Sequence, residues 1–149
     1  MTYVDTIDPS HLAGEAHIAT ATALESPDTA YEHLTELRWP DDREACWIVY
    51  VDVKHRPIRN ELVSLGSLDH TFMAPREIFR SALTIPRCAA IILAHNHPSG
   101  DPEPSKDDQM VTRRISRAGE IVGIDVLDHV IVSLPDNGRW VSLARRGCV

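Results

Sequence analysis

Residues 89–94, Ala-Ala-Ile-Ile-Leu-Ala, form a short continuous apolar run that leads directly into His95-Asn96-His97-Pro98. Arg87 and Cys88 bound the run on one side, and polar residues with a proline bound it on the other. Such a run predicts a strand buried on both faces. If strand geometry continues through His97, both imidazoles point to the same side, because side chains alternate along a strand. Pro98 cannot donate to a ladder and ends it. Ser99-Gly100-Asp101-Pro102 then has turn chemistry. A helix opens at Pro104-Ser105 and buries Val111, Ile115, Ala118 and Val122, which recur at helical spacing, before stopping near Gly123. The same spacing, followed toward the N-terminus, turns Asp108 and Ser105 inward on the first turn. A strand end and an electropositive helix start therefore meet at one point.

Between these two elements the chain reads H-x-H, seven residues, then S-x-x-D. Two imidazoles and a carboxylate at these offsets, His95, His97 and Asp108, can close three positions around a single zinc ion per chain. A fourth position is left for water, as in catalytic rather than structural zinc sites. Each piece also has a plainer reading. Ser105-x-x-Asp108 matches a capping box, and a single buried histidine is commonly a hydrogen-bonded core residue. Packing does not account for all three together, because buried polar groups are costly unless paired.

Composition bounds the rest. With 149 residues, one domain with a real core is expected. No apolar stretch approaches membrane-spanning length, and no secretory signal is visible at the N-terminus. Cys46, Cys88 and Cys148 form no C-x-x-C pair, which predicts reduced thiols and a cytoplasmic protein. Residues 1–44 hold ten acids against two bases, within an overall charge of −7. That balance lacks the basic footprint of a nucleic-acid binder. The only local exceptions, Arg113, Arg114 and Arg117 on the motif helix and Arg145-Arg146, read first as solvated faces, so DNA association is expected to be weak. Residues 1–24 read as a variable acidic arm or loose helix, and 25–149 as the domain. Within it, Ser26 starts a helix that ends before Pro40, and strands follow at about 44–52 and 58–65. A bend at Gly66–His70 leads into a short strand, and a helix runs from Pro75 through Leu83. Two closing strands, from Ile124 and from Arg139, flank the turn Pro135-Asp136-Asn137-Gly138. The interspersed order predicts an α/β fold with a mixed sheet flanked by helices. Asp128-His129 lies in the first closing strand. It reads either as support for the metal ligands or as a structural Asp–His hydrogen bond.

H-x-H-x7-S-x-x-D resembles the signature of the JAMM (MPN-plus) metalloproteins. The fuller string Ala94-His95-Asn96-His97-Pro98-Ser99-Gly100-Asp101-Pro102-Glu103-Pro104-Ser105-Lys106-Asp107-Asp108 is similar to their RadC-like branch. The likeness runs from Glu25 through Glu44–Asp52, Gly66-Ser67-Leu68 and Ala74–Phe79 to Ile124–Val132 and Trp140–Leu143. It implies a single JAB/MPN domain with cytidine-deaminase-like layering. RadC proteins commonly carry a helix-hairpin-helix module, and too few residues precede Glu25 to hold one, so a short stand-alone form is expected. The resemblance also implies a catalytic glutamate at the start of a core strand, eight residues before the aspartate that ends it. That places a general base at Glu44, with Glu61 and Glu77 as rivals. It implies, too, that Ser105 binds the oxyanion of the scissile carbonyl.

Three functions are consistent with these features. The first is a zinc-dependent hydrolase of peptide or isopeptide bonds in an unidentified protein substrate. The second is a factor in DNA repair or processing, whose metal site cuts DNA or orders a binding surface. The third is a metal-stabilised scaffold without turnover. The complete ligand set and the candidate glutamate favour the first. Nothing in the pattern specifies an oligomeric state.

Overall fold

Ser26 starts the first of the described helices, as its sequence predicts. In the computed structural model, which describes residues 22–66, 73–133 and 138–149, the Ser26 hydroxyl accepts the Thr29 N–H at 3.2 Å, and Thr29 returns the bond to the Ser26 N–H at 3.1 Å. Pro27 fills the first helical position, where no N–H is needed. Helix α1 (Pro27–Thr35) buries Ala30 and Leu34. Strands β1 (Ala45–Val51) and β2 (Pro57–Leu65) follow, then α2 (Pro75–Ala82), β3 (Ala90–Asn96), α3 (Lys106–Val122), β4 (Asp125–Val132) and β5 (Trp140–Ser142). Most of the arm expected over 1–24, the short strand after the Gly66–His70 bend and most of the Pro135–Gly138 turn lie outside the described residues.

The five strands form one mixed sheet in the order β2-β1-β3-β4-β5. Among the described strands only β3 and β4 pair in parallel, and α3 makes the crossover between them. β1 and β3, in the sheet interior, are buried along their whole length. This is the burial that the apolar run predicts. Alternation divides the core between two faces. Ile48, Tyr50, Ile91 and Leu93 pack against Ile78 and Phe79 of α2 and Ile115 of α3. Val49, Val51, Ile92 and Ala94 pack against Ala30 and Leu34 of α1. The expected α/β fold with helices on a mixed sheet is what the chain adopts.

β4 carries one extra residue relative to β3: Ile91 is paired with Val126, but Ile92 is paired with Asp128. This is a β-bulge at Leu127, and it changes which side chains face which layer. Val126 packs on the α2–α3 side, whereas Val130 and Val132 pack on the α1 side. His129 is thereby turned toward α3.

Helix α3 is held at both ends. Ser105 caps its start, and Gly123, with φ 78°, makes the left-handed turn at its end. Its buried stripe differs from the expected one. Thr112, Ile115 and Gly119 are fully buried, Val111 and Ala118 partly so, and Val122 remains 41% exposed. Val122 has the right angular position but sits in the last turn, where the chain already reverses. Gly119 lets this end of α3 close onto the chain entering β4. A Cβ there would stand 2.4 Å from the Ile124 carbonyl oxygen and 3.2 Å from the Phe79 ring. Gly119→Ala gains up to about 1 kcal/mol of helix propensity, but backbone oxygen cannot swing aside as a side chain can. A net loss of roughly 1–3 kcal/mol is expected, of the size seen for overpacked cores. A urea midpoint equal to that of the unaltered chain would show that α3 can shift outward freely.

Candidate metal centre

The odd-numbered residues of β3 supply the site. Ile91 and Leu93 point to the α3 side of the sheet, so His95 does as well. The ladder continues one residue past β3, because the His97 N–H reaches the Val132 carbonyl at 2.9 Å. His97 therefore follows His95 onto the same side, as the strand period requires. Their Nε2 atoms lie 3.0 Å apart. Past Pro98 the chain turns sharply: the Gly100 N–H closes on the His97 carbonyl at 3.1 Å, with Gly100 at φ 82°. The loop then folds back, and the Asp101 carbonyl meets His97 Nδ1 at 2.8 Å. A carbonyl can only accept, so His97 Nδ1 carries the proton. In the neutral ring, Nε2 presents a lone pair toward His95.

Asp108 arrives from the first turn of α3. Its Oδ1 lies 3.5 Å from His95 Nε2, and its Oδ2 lies 3.5 Å from His97 Nε2. The capping-box reading of Ser105-x-x-Asp108 is correct. Asp108 Oδ2 accepts the Ser105 N–H at 2.8 Å, while Ser105 Oγ accepts the Asp108 N–H at 3.0 Å. The cap and the candidate-ligand reading are compatible, because the cap aims the carboxylate that faces the histidines. His95 is 1% exposed at its side chain, His97 15% and Asp108 16%, so the cluster is closed off at His95 and reaches solvent at His97 and Asp108. Ser105 itself is exposed at the rim rather than turned inward.

The electrostatics follow from these contacts. The hydrogen bond to Asp108 raises the His97 pKa against the effect of burial, and the Asp101 carbonyl and the charges of Asp108 and Glu44 add to it. Burial would raise Asp108, but His97, the charge of His95 and the Ser105 bonds together hold it well below the usual carboxylate range. Burial pushes His95 well down, and the neighbouring His129 pushes it further. Burial also lowers His129, to about 4, so it is neutral at physiological pH.

One donor atom from each of His95, His97 and Asp108 lies within 4.8 Å of the others. Two imidazole nitrogens and a carboxylate converging on one point are a donor set that a cation satisfies. The group could therefore hold a metal ion.

Glu44 is half-buried and immediately precedes β1, and its charge is felt at His97. Its backbone is gripped from both sides by Asn96, the residue between the two histidines. Asn96 Oδ1 accepts the Ala45 N–H at 2.6 Å, and its Nδ2 donates to the carbonyls of Arg43 at 3.0 Å and Pro40 at 3.1 Å. The rival glutamates are engaged elsewhere. Glu61 accepts from the Tyr50 and Ser81 hydroxyls and pairs with Arg59. Glu77 pairs with Arg76 and Arg80.

Asp128 and His129 divide the two roles expected of them. The Asp128 carboxylate ties strands together, accepting the N–H groups of His129 and Ala144 and the Ser142 hydroxyl. It is the His129 ring that reaches the candidate ligands: Nε2 lies 2.7 Å from His95 Nδ1, and Nδ1 lies 2.6 Å from the Thr112 hydroxyl. The arginines are largely committed. Arg145 pairs with Asp28, Arg146 makes a two-bond contact with Glu103, and Arg113 reaches Cys148.

The family model for the RadC-like JAB domain matches residues 24–148. The chain belongs to this family. The RadC-like JAB domain seen here is also 40% identical over 126 residues to a UPF0758 protein of Methanosarcina mazei, covering 85% of this chain and 53% of that one. It is 45% identical over 118 residues to a UPF0758 protein of Methanococcoides burtonii, covering 79% of this chain and 44% of the relative. A third, from Moorella thermoacetica, is 45% identical over 132 residues, covering 88% and 56%. The chain thus spans about half the length of these curated relatives. Among the described residues, no helix of the domain is long and apolar enough to cross a membrane.

Proposed function

We propose that this RadC-like JAB domain is a zinc-dependent hydrolase of peptide or isopeptide bonds. The observation that carries the reading is the convergence of His95, His97 and Asp108 within 4.8 Å, next to a glutamate whose charge reaches His97. In this reading the three side chains hold one zinc ion per chain. When bound, zinc would supply Lewis acidity, making a water at the site acidic enough to attack near neutral pH. Glu44 takes the proton from the attacking water and returns it to the departing amine nitrogen. Asn96 fixes the peptide groups on either side of Glu44, so the carboxylate works from a rigid backbone. The test is direct: metal analysis of the purified chain, then cleavage of isopeptide-linked and linear peptides with and without zinc. A chain that takes up no zinc, or a zinc-loaded chain inert across both substrate types, overturns the proposal.

Ser105 is proposed to donate to the carbonyl oxygen as negative charge develops there. Its cap engages an acceptor lone pair of Oγ, and the hydroxyl hydrogen is not part of that bond. Ser105→Ala should lose roughly 0.5–2 kcal/mol of stability as a lost cap. It should also lose turnover on the order of ~100-fold, as for a lost oxyanion donor. A lowered melting point with an unchanged single-turnover rate reduces Ser105 to a cap.

Association with DNA is proposed to be weak, since Arg145 and Arg146 already pair with acids. Any affinity should fall steeply between low and physiological salt, because phosphate neutralisation releases counterions. Tight binding that survives physiological salt would instead favour a DNA-processing role.

A further inference from the structure

We infer that His129 and Thr112 are positioning residues that lock His95 as its Nδ1–H tautomer and so turn its Nε2 lone pair toward the metal position. The inference rests on the metal-site reading for its purpose, but on hydrogen-bond direction for its content.

The direction is set from one end of a buried chain. The Thr112 hydroxyl donates to the Asp108 backbone carbonyl at 2.6 Å. That carbonyl has no proton to give, and Thr112 has only one, so the hydroxyl oxygen must accept from its other neighbour. That neighbour is His129 Nδ1, at 2.6 Å, which therefore carries a proton. A neutral imidazole has one N–H and one lone pair, so His129 Nε2 is an acceptor. The atom facing it at 2.7 Å is His95 Nδ1, which must then be protonated. His95 Nε2 is left with a lone pair, aimed at His97 Nε2 and Asp108. Every proton in the sequence from Asp108 carbonyl to Thr112, His129 and His95 has one place to go. Thr112, His129 and His95 are each at most 1% exposed, so water does not compete for the bonds.

The chain begins and ends on candidate ligands. Thr112 reads the backbone of Asp108, and His129 reads the ring of His95. The two metal-facing elements, α3 and β3, are thereby linked through β4. The free histidine side chain prefers the proton on Nε2, so the buried chain works against the intrinsic preference. Partners of this kind orient ligating histidines and typically change metal affinity by about 10–100-fold when removed.

The experiment has a metal-free arm and a metal arm. Long-range 1H–15N spectra of the metal-free chain should show His95 with Nδ1 protonated and Nε2 bare. His129→Phe removes the acceptor but keeps a ring, and Thr112→Val removes the hydroxyl at nearly constant shape. Both should move His95 toward the Nε2–H form and weaken zinc, measured by chelator competition, by about 10–100-fold. His129→Gln places an amide oxygen near the position of Nε2 and should keep both the tautomer and most of the affinity. A His95 found as Nε2–H in the unaltered chain overturns the inference. So does zinc affinity that is the same in the unaltered chain, His129→Phe and Thr112→Val. If His129→Phe fails to fold, Thr112→Val and the spectrum of the unaltered chain still decide. A chain that binds no zinc but shows the Nδ1–H tautomer refutes the metal reading and leaves the lock standing.

Discussion

His97→Ala is expected to reduce bound zinc from about one equivalent per chain to a small fraction of one, since a three-residue site loses a ligand that nothing nearby replaces. His97 is the better of the two histidines to alter. His95 is buried at the foot of the cluster, so its removal would leave a cavity and an unpaired His129, and a loss of fold would be confused with a loss of metal. His97 is 15% exposed and lies beyond the end of β3. Its backbone bond to Val132 survives the substitution. The variant should therefore stay folded while losing the stabilisation that zinc gives the native state, about 2.7 kcal/mol at a free zinc concentration 100-fold above its dissociation constant. In practice, added zinc should raise the melting temperature of the unaltered chain and leave that of His97→Ala where it is. A variant that still holds a full equivalent of zinc places the ion elsewhere.

Glu44→Gln separates binding from chemistry. The amide has nearly the shape of the carboxylate but cannot take a proton. Zinc content and melting temperature should stay close to those of the unaltered chain. Hydrolysis should drop by ~100-fold or more, the usual contribution of a general base. Glu61→Gln and Glu77→Gln serve as controls. Both carboxylates are held by other partners, Glu61 by Tyr50 and Ser81 and Glu77 by neighbouring arginines. If Glu44→Gln keeps full activity while either control is dead, the base has been misassigned.

Most of the fold is legible because it rests on local rules. The apolar run before His95 reads as a buried strand, and Ser26, Ser105 and Gly123 mark helix ends through hydrogen bonds made within a few residues. Grouping His95, His97 and Asp108 needs only strand alternation and helical spacing. What the sequence does not display depends on distant partners. Asn96 stands between two conspicuous histidines, and its grip on the residues flanking Glu44 reaches across 51 and 53 residues of sequence. Thr112 lies four residues after Asp108, on the inward side of the helix. That spacing, with a polar residue among apolar ones, is the one signal that could have found it. The Asp128-His129 hydrogen bond takes a form the sequence does not display: adjacent residues in a strand point to opposite faces, so the Asp128 carboxylate accepts the His129 backbone N–H while the ring turns to the other layer.

The bulge at Leu127 makes the site sensitive to strand length in a way that loops are not. Ahead of it, even-numbered residues of β4 face α2 and α3; after it, odd-numbered residues do. Removing a single residue there would restore perfect pairing, yet exchange the two faces for the part of β4 on one side of the deletion. A valine would then meet His95 while the imidazole of His129 turned to the layer behind the sheet. Backbone hydrogen bonding alone would favour that tidier ladder. The irregular one persists because the buried ring and the valines each have only one layer that suits them, so the site and the hydrophobic core are in phase only when the strand is one residue too long.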